Sequence, residues 1–260
     1  MLAEKQEWER AEIARSTFEA LHTPDARLAA NEANVARYLS APLHTVYPLE
    51  YAYALLGDVS GRTVVDFGCG SGENSLLLAR RGARVIGVDI SESLIRLAQR
   101  RLEVNGLGGR AQFVVGSAHD LPIKNGVVDV VLGIAILHHL NLDTTSSEVH
   151  RILKPNGHAI FKEPVRDSRL LRGVRRLIPY RAPDVSPFER PLTLGELRRF
   201  SSRFRSSSIR AFSLPFVNLV SVVPALRRYV ASAHRLDGAM LKKMPALTLF
   251  SGVRVLQVTK

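Results

Sequence analysis

The chain has 260 residues, of which 46% are apolar, so it can bury the core of one elaborated domain. Its single cysteine, Cys69, excludes a disulfide within the chain and is typical of a reducing compartment. The amino-terminal sequence is amphipathic, and no run is apolar enough to span a membrane, so we expect a cytoplasmic protein. The net charge of +12 is confined to residues 166–243, which contain 17 basic and 5 acidic residues.

The predicted elements begin with three helices at residues 4–20, 25–40 and 48–56. From residue 61 onward, apolar runs alternate with helical patterns, and glycine-containing turns separate them. This alternation indicates an α/β fold with a doubly wound, mostly parallel sheet. The alternating elements are a strand at 63–67, a helix at 73–81, a strand at 84–89, a helix at 92–105, strands at 111–115 and 127–133, a helix at 144–153 and a strand at 157–163.

After residue 163 the pattern changes. An Arg-rich helix is predicted at 169–179 and another helix at 193–204, followed by strands at 209–214 and 253–259. Residues 215–245 between these strands are helical and apolar, and they are longer than a hairpin connection needs to be. The predicted division is N-terminal helices in 1–60, a core in 61–164, a basic and apolar cap in 165–250 and a final strand in 251–260, with the N-terminal helices contributing to the cap.

Residues 63–72 read TVVDFGCGSG, an apolar run with Asp66 near its end and glycines at alternate positions beyond it. Glycines directly after a buried strand let the backbone turn sharply and approach a ligand. The dinucleotide pattern GxGxxG fails, because Glu73 or Ser75 stands at its third glycine position. Asp66 disfavours a pyrophosphate and favours a ligand with positive groups. The next strand ends in Asp89, where an acid can bind both ribose hydroxyls of a nucleoside.

These residues resemble the class I S-adenosylmethionine-dependent methyltransferases, whose first motif is close to VxDxGCGxG. The run VIGVDIS at 85–91 supports the same resemblance. The family implies S-adenosyl-L-methionine as cofactor and a seven-stranded, Rossmann-like sheet that the last two strands close as an antiparallel hairpin. Quinone-biosynthesis methyltransferases look similar through the core. The resemblance covers residues 61–163 and fades in the cap, so it implies no particular substrate.

Two later segments resemble further motifs of the family. GSAHDLPI at 116–123 is similar to GDAxxLP, whose acid binds the adenine amino group and whose next amide meets the ring. Here Ser117 replaces the acid, so that contact becomes a hydroxyl or moves to Asp120. VVDVVLGIAILHHL at 127–140 resembles the fourth-strand motif that lines the methionine side of the cofactor. The cofactor-binding residues that the family implies are Asp66, Gly68, Cys69, Gly70, Asp89, Ile90, Ser117, Ala118, His119 and Ile134.

Candidate catalytic residues follow the fourth and fifth strands, at the edge where open α/β sheets bind ligands. His138 and His139 come after the fourth strand, and a His here can deprotonate a hydroxyl acceptor in similar methyltransferases. Alternatively, one of them packs in the core and the other caps the next helix. Glu163 ends the fifth strand and can orient a His, accept a proton or bind backbone. No HxxxH, HExxH or CxxC spacing is present, so we expect no metal.

The basic cap, residues 166–243, combines Arg with apolar side chains, above all at 169–179. Such a helix can lie on an anionic membrane surface, and Arg can also bind an anionic acceptor or nucleic acid. Alternatively, it is a solvated helix face. We expect methyl transfer to a small hydrophobic or lipid-like acceptor. Nucleic acid is the weaker partner, because few aromatic residues accompany the Arg residues. The alternatives are an RNA methyltransferase and a non-catalytic cofactor-binding protein.

Overall fold

The computed structural model describes residues 13–14, 16–18, 20–24, 27–168 and 190–260. The predicted helix at 169–179 therefore lies outside the described residues. One seven-stranded sheet forms the centre of the fold, with the strand order β3-β2-β1-β4-β5-β7-β6. All neighbouring strands run parallel except β7, which is antiparallel to both β5 and β6. The strands are β1 (Thr63–Phe67), β2 (Arg84–Asp89), β3 (Ala111–Val115), β4 (Val128–Ile134), β5 (Leu153–Pro164), β6 (Ser206–Phe212) and β7 (Val253–Thr259).

The sheet confirms the predicted doubly wound α/β class, including the antiparallel hairpin of β6 and β7. The connections between the parallel strands are helical, as parallel strands require. Residues 13–14, 16–18 and 20–22 are also helical. The α-helices are α1 (Glu32–Leu39), α2 (Pro48–Leu55), α3 (Glu73–Arg80), α4 (Glu92–Val104), α5 (Leu142–Ile152), α6 (Leu194–Ser201), α7 (Pro215–Val222) and α8 (Val230–Lys243).

The apolar core forms one layer on each face of the sheet. Along β5, Phe161 packs in the layer that includes α5 and α6, whereas Ile160 packs in the layer that includes α1 to α4. Along β4, Val131 and Leu132 are divided between the two layers in the same way. Strands covered on both faces alternate their side chains between two apolar layers, which is why these strands read as unbroken apolar runs.

Capping side chains set several helix boundaries that the apolar pattern does not mark. The helix predicted at 25–40 begins only at Glu32, because the Asn31 side chain accepts a hydrogen bond from the Asn34 amide. The helix predicted at 144–153 begins at Leu142, where Asn141 caps it. Thr193 forms a reciprocal capping box at the start of α6. These caps explain differences of a few residues between prediction and structure.

Two strands are longer at their start than the sequence predicts. β5 begins at Leu153, but its pairing with β4 jumps from Leu153 to His158, so the predicted turn at 155–157 is a bulge within the strand. Asn156 accordingly has a positive φ of 63°. β6 begins at Ser206 rather than at residue 209, because an edge strand with an exposed first half does not need apolar residues there.

Helical structure fills the segment between β6 and β7. It contains α7, α8 and two short 3₁₀ helices, Pro224–Tyr229 and Pro245–Phe250. α8 is held to the rest of the fold by Asp237, whose carboxylate accepts a hydrogen bond of 2.7 Å from the Leu214 amide. Among the described residues, no helix has the length and apolar character needed to cross a bilayer. The assignment of residues 165–250 and 1–60 to a cap stays a prediction.

Candidate active site

The glycine loop between β1 and α3 has the backbone geometry that only glycine adopts without strain. Gly68, Gly70 and Gly72 have φ angles of +72°, +49° and +80°. A Cβ at Gly68 would lie 2.7 Å from the Ile136 side chain, and a Cβ at Gly72 would lie 2.8 Å from Cβ of Ala98. A Cβ at Gly70 would meet no atom within 4 Å. The loop is therefore closely packed at its ends and open in the middle.

Asp89, at the carboxyl end of β2, links that loop to the next helix. Its Oδ2 accepts a hydrogen bond of 2.9 Å from the Gly70 amide, and its Oδ1 accepts one of 2.9 Å from the Ser91 amide. Ser91 in turn caps α4 through the Leu94 amide. The carboxylate is thus fixed at the edge of the sheet by two backbone amides.

A cavity of about 280 Å³ opens at the carboxyl edge of β1, β2 and β4. Eight of the ten residues that the family resemblance implies for the cofactor lie on its wall. They come from the ends of three strands, β1, β2 and β3, which the parallel sheet brings to the same edge. These residues are Gly68, Cys69, Gly70, Asp89, Ile90, Ser117, Ala118 and His119.

Asp66 and Ile134 do not lie on the cavity wall. Asp66 is fully buried on the α3 side of the sheet, where its Oδ2 accepts a hydrogen bond of 2.6 Å from Ser75 Oγ. Burial raises the pKa of this carboxyl to about 7. Ile134 packs in the core layer that includes α1 to α4. Strand alternation therefore turns these two side chains away from the cavity, and their role in cofactor binding stays a prediction.

The residues that line the cavity after β4 belong to the following turn and do not include Ile134. Ala135 and Ile136 line the cavity, and Ala135 has a φ of +56°, which is uncommon for a residue other than glycine. The Ala135 amide donates a hydrogen bond of 2.8 Å to the Lys162 carbonyl. The motif at 127–140 contains both residues, but the family resemblance implied only Ile134 as a cofactor-binding residue. The apolar run that continues past Ile134 was the only signal for them.

Glu163 organises this turn from the end of β5. Its Oε1 accepts hydrogen bonds of 2.9 Å from the amides of Ile136 and Leu137, and its Oε2 lies 2.9 Å from Nδ1 of His138. Glu163 is fully buried, and His138 is buried as well. A buried carboxylate needs such partners, because an unpaired charge inside a protein is costly. Glu163 therefore binds both backbone and a His, and its use in catalysis stays a prediction.

His139 occupies a different position from His138. His139 lies on the cavity wall beside Leu140, whereas His138 is not part of that wall. The two rings are in contact, with centroids 4.1 Å apart. Both residues belong to the short 3₁₀ helix Leu137–His139, so neither caps α5, whose cap is Asn141. The structure thus separates one His in the cavity from one His held by Glu163.

The loop after β3 supplies the opposite part of the wall. Ser117 Oγ accepts a hydrogen bond of 3.3 Å from the His119 amide. Nε2 of His119 accepts a hydrogen bond of 3.0 Å from the Asn141 amide. Asp120, the other acid considered for the adenine contact, is exposed and is not on the wall. The hydroxyl of Ser117 is therefore the side chain that stands where the family has its acid.

The wall also contains residues that motif comparison did not indicate. Ser16, which is 1% exposed, comes from the N-terminal helical segment, and Glu73 and Asn74 begin α3. Thr17 Oγ1 lies 3.4 Å from Ser93 Oγ, which places the N-terminal segment beside α4. Ser16 carries no sequence signal of its own. Among the described residues, no group of His, Cys, Asp and Glu side chains could hold a metal ion.

The known proteins that this chain resembles are methyltransferases. A family of methyltransferase domains matches residues 65–161. The ubiquinone biosynthesis O-methyltransferase of Alkalilimnicola ehrlichii is 32% identical over 171 residues, which cover 61% of this chain and 68% of that protein. The fatty-acid O-methyltransferase of Mycolicibacterium smegmatis is 34% identical over 118 residues, which cover 44% of this chain and 42% of that protein. The match thus spans less than half of the fatty-acid enzyme.

Solved structures show the same fold. The geranyl diphosphate C-methyltransferase of Streptomyces coelicolor A3(2), determined with geranyl diphosphate and S-adenosyl-L-homocysteine, matches with a TM-score of 0.56 and 19% identity. The match covers 80% of this chain and 78% of that one. Together with the glycine loop, Asp89 and the strand order, these relatives show that the chain belongs to the class I S-adenosylmethionine-dependent methyltransferases.

Proposed function

We propose that the protein transfers a methyl group from S-adenosylmethionine to a hydroxyl of a small hydrophobic or lipid-like acceptor. One observation carries the proposal: a single cavity contains the glycine loop, the carboxylate of Asp89 and the imidazole of His139. A cytoplasmic location, with contact to a membrane surface where a lipid-like acceptor is collected, is part of the same proposal. RNA methylation and cofactor binding without catalysis stay as alternatives that the experiments below distinguish.

The cavity fits the cofactor in both shape and charge. Gly70 leaves open space where a side chain would stand, and Asp89 supplies acceptors for ribose hydroxyls. Ile90 and Leu94 give an apolar surface against which an adenine ring can pack. Asp66 would shape the loop from the buried α3 side of the sheet, since its side chain contacts Ser75 rather than the cavity. When bound, S-adenosylmethionine supplies an activated methyl group, so the protein has mainly to position the acceptor and exclude water.

The names of the relatives favour an apolar acceptor. One relative is named for fatty acids and another for ubiquinone biosynthesis, and a structural neighbour was determined with geranyl diphosphate. In this chain, the apolar side chains of Ile136 and Leu140 line the cavity next to His139. These side chains would contact the body of a hydrophobic acceptor and orient its hydroxyl toward the imidazole. Which acceptor is methylated, and whether it carries an anionic group, are therefore matters of this proposal alone.

His139 is the proposed general base, and His138 with Glu163 is the proposed support for it. A base has to reach the proton that it removes, and His139 lies on the cavity wall whereas His138 does not. Glu163 binds Nδ1 of His138 and the two amides before it, so it fixes the turn that presents His139. Glu163 is therefore proposed as a positioning residue that does not touch the acceptor.

Label transfer tests the proposed function. The protein is incubated with methyl-labelled S-adenosylmethionine and, in separate reactions, with a bacterial lipid extract, total RNA and a polar metabolite extract. We expect label in the lipid fraction. Label in RNA would establish the first alternative, and cofactor binding without label in any fraction would establish the second.

A pair of variants tests the base. His139→Ala should lower turnover by about 10²-fold to 10⁴-fold while cofactor affinity, measured by calorimetry, stays close to that of the wild type. The matched control is His44→Ala, because His44 is exposed and is not part of the cavity wall. Full turnover in His139→Ala would exclude this residue as the base.

A further inference from the structure

The segment between β6 and β7, residues 215–250, exposes several large apolar side chains. Thirteen large apolar side chains are exposed among the described residues, and six of them belong to residues 215–250. Their exposed fractions range from 47% to 74%. The other seven are distributed over the rest of the described chain. The six are Phe216, Val222, Tyr229, Leu236, Met244 and Leu249.

The same segment is basic on its outside. It contains five Lys or Arg residues, and all five are exposed: Arg227, Arg228, Arg235, Lys242 and Lys243. Its one acidic residue, Asp237, is 1% exposed and accepts a hydrogen bond from the Leu214 amide. Within the described part of the chain, none of the five cations has an ion pair with a carboxylate. The exposed surface of residues 215–250 thus has positive charge without exposed carboxylates.

The helical period of α8 separates a buried face from this surface. Ala233 and Asp237 are buried four residues apart, and a Cβ at Gly238 would lie 2.6 Å from the Val46 side chain. These contacts hold one face of the helix against the loop before α2. Arg235, Leu236, Lys242 and Lys243 therefore project on the opposite side, where they are exposed. The side chains between them are small, Ala231, Ser232 and Ala239.

We propose that residues 215–250 bind the surface of an anionic phospholipid bilayer. Cations without nearby carboxylates are attracted to the negative surface, and interspersed apolar side chains can insert at the boundary between headgroups and acyl chains. A second copy of the chain is a poorer occupant, because a symmetric contact would bring these like charges together. RNA is also a poorer occupant, because the exposed aliphatic side chains would gain nothing from phosphate contacts. The inference rests on the membrane contact of the proposed function and names the residues that make it, and its test needs no activity, so it can fail while methyl transfer holds.

Sedimentation of the full chain with vesicles tests this surface. Vesicles of phosphatidylglycerol with phosphatidylcholine should pellet the protein, and vesicles of phosphatidylcholine alone should not. Lys242→Glu with Lys243→Glu should weaken binding at low ionic strength by about 25-fold or more, since each cation contributes about fivefold near such a surface. The matched control is Arg110→Glu with Lys124→Glu, which makes the same change of charge at two exposed positions elsewhere.

A second pair of variants tests the apolar component. Leu236→Ser with Leu249→Ser should weaken binding about tenfold, and the loss should persist at high salt because it does not depend on charge. Val104→Ser, at another exposed apolar position, is the control. Calorimetric binding of S-adenosylmethionine to every variant verifies that the fold is intact. The proposal would be overturned if both test pairs bound vesicles as the wild type does or if the control variants lost binding equally. Stronger binding to RNA than to anionic vesicles would also overturn it.

Discussion

The imidazole of His138 and the carboxylate of Glu163 form a buried pair, with Nδ1 and Oε2 2.9 Å apart. The same carboxylate accepts two amide hydrogen bonds from the turn after β4. The end of one strand therefore determines the conformation of the loop that follows its neighbour. Since His139 is presented by that loop, Glu163 should influence both the stability of the fold and the geometry of the cavity.

Replacing Glu163 tests this relationship. Glu163→Ala leaves two buried amides and a buried imidazole without their acceptor, so we expect a loss of about 3 kcal/mol in the free energy of unfolding. Glu163→Gln keeps a carbonyl oxygen for the amides and should lose only about 1 kcal/mol. Urea unfolding measures both. Equal losses in the two variants would mean that the shared acceptor is not what holds the turn.

Asp89 should control cofactor affinity. Asp89→Ala removes the carboxylate that fixes Gly70 and faces the cavity, so the affinity for S-adenosylmethionine should fall by about tenfold to 100-fold. Asp129→Ala is the control, because Asp129 also accepts a backbone hydrogen bond, from Thr63, but is not on the cavity wall. Calorimetry should show nearly unchanged affinity in the control, and the same result for Asp89→Ala would contradict the assignment.

Stability should depend on pH through Asp66. Burial raises the pKa of this carboxyl to about 7 in the folded protein, compared with 3.8 ordinarily, so the folded state holds its proton more tightly. The unfolded chain loses this proton first as the pH rises. The group therefore lowers stability progressively between about pH 4 and pH 7, by up to about 4 kcal/mol, and has no further effect above that range.

Asp66→Asn should remove this slope while retaining an oxygen for Ser75. The variant should gain stability relative to the wild type as the pH rises from 4 to 7, and urea unfolding across that range measures the gain. Asp120→Asn, at an exposed position, provides the control. A constant difference between Asp66→Asn and the wild type across this range would show that the carboxyl does not titrate there.

Gly68 should be more sensitive to substitution than its positive φ alone requires. Gly57 has a comparable φ of +62°, and a Cβ there would meet nothing within 4 Å, so Gly57→Ala should cost about 1 kcal/mol from backbone strain. Gly68→Ala adds a contact of 2.7 Å with Ile136, which would have to move, and should cost about 3 kcal/mol. Unfolding measurements on both variants separate the two effects. Similar losses would contradict the clash.

The sheet and the position of the cavity could be predicted from the sequence, because both follow from local patterns. Apolar runs that alternate with helices specify a parallel sheet, and parallel strands bring their carboxyl ends to one edge. Gly68, Gly70 and Asp89 could therefore be placed together although 21 residues separate the first from the last. The bounds of β1, β2, β3 and β7 were also predicted correctly.

The directions of individual side chains could be predicted less well than the sheet and the cavity. Ile134 still belongs to β4 and faces the core, and a positive φ at Ala135 then redirects the chain toward the cavity. A family motif gives the neighbourhood of such a residue but not the position at which the strand ends. The different positions of His138 and His139 likewise depend on a contact with Glu163, 25 residues away. Contacts over that distance leave no periodic signal in a sequence.

The position of β7 between β5 and β6 has a consequence for synthesis of the protein on the ribosome. β6 pairs only with β7, which follows it by about 40 residues, so β6 has no sheet partner when it first emerges. The five parallel strands, by contrast, can assemble as soon as β5 is complete. β6 and residues 215–250 therefore have no β7 to pack with until the last strand has been synthesised. The part of the sheet that borders the cavity can therefore assemble before the hairpin of β6 and β7 is complete.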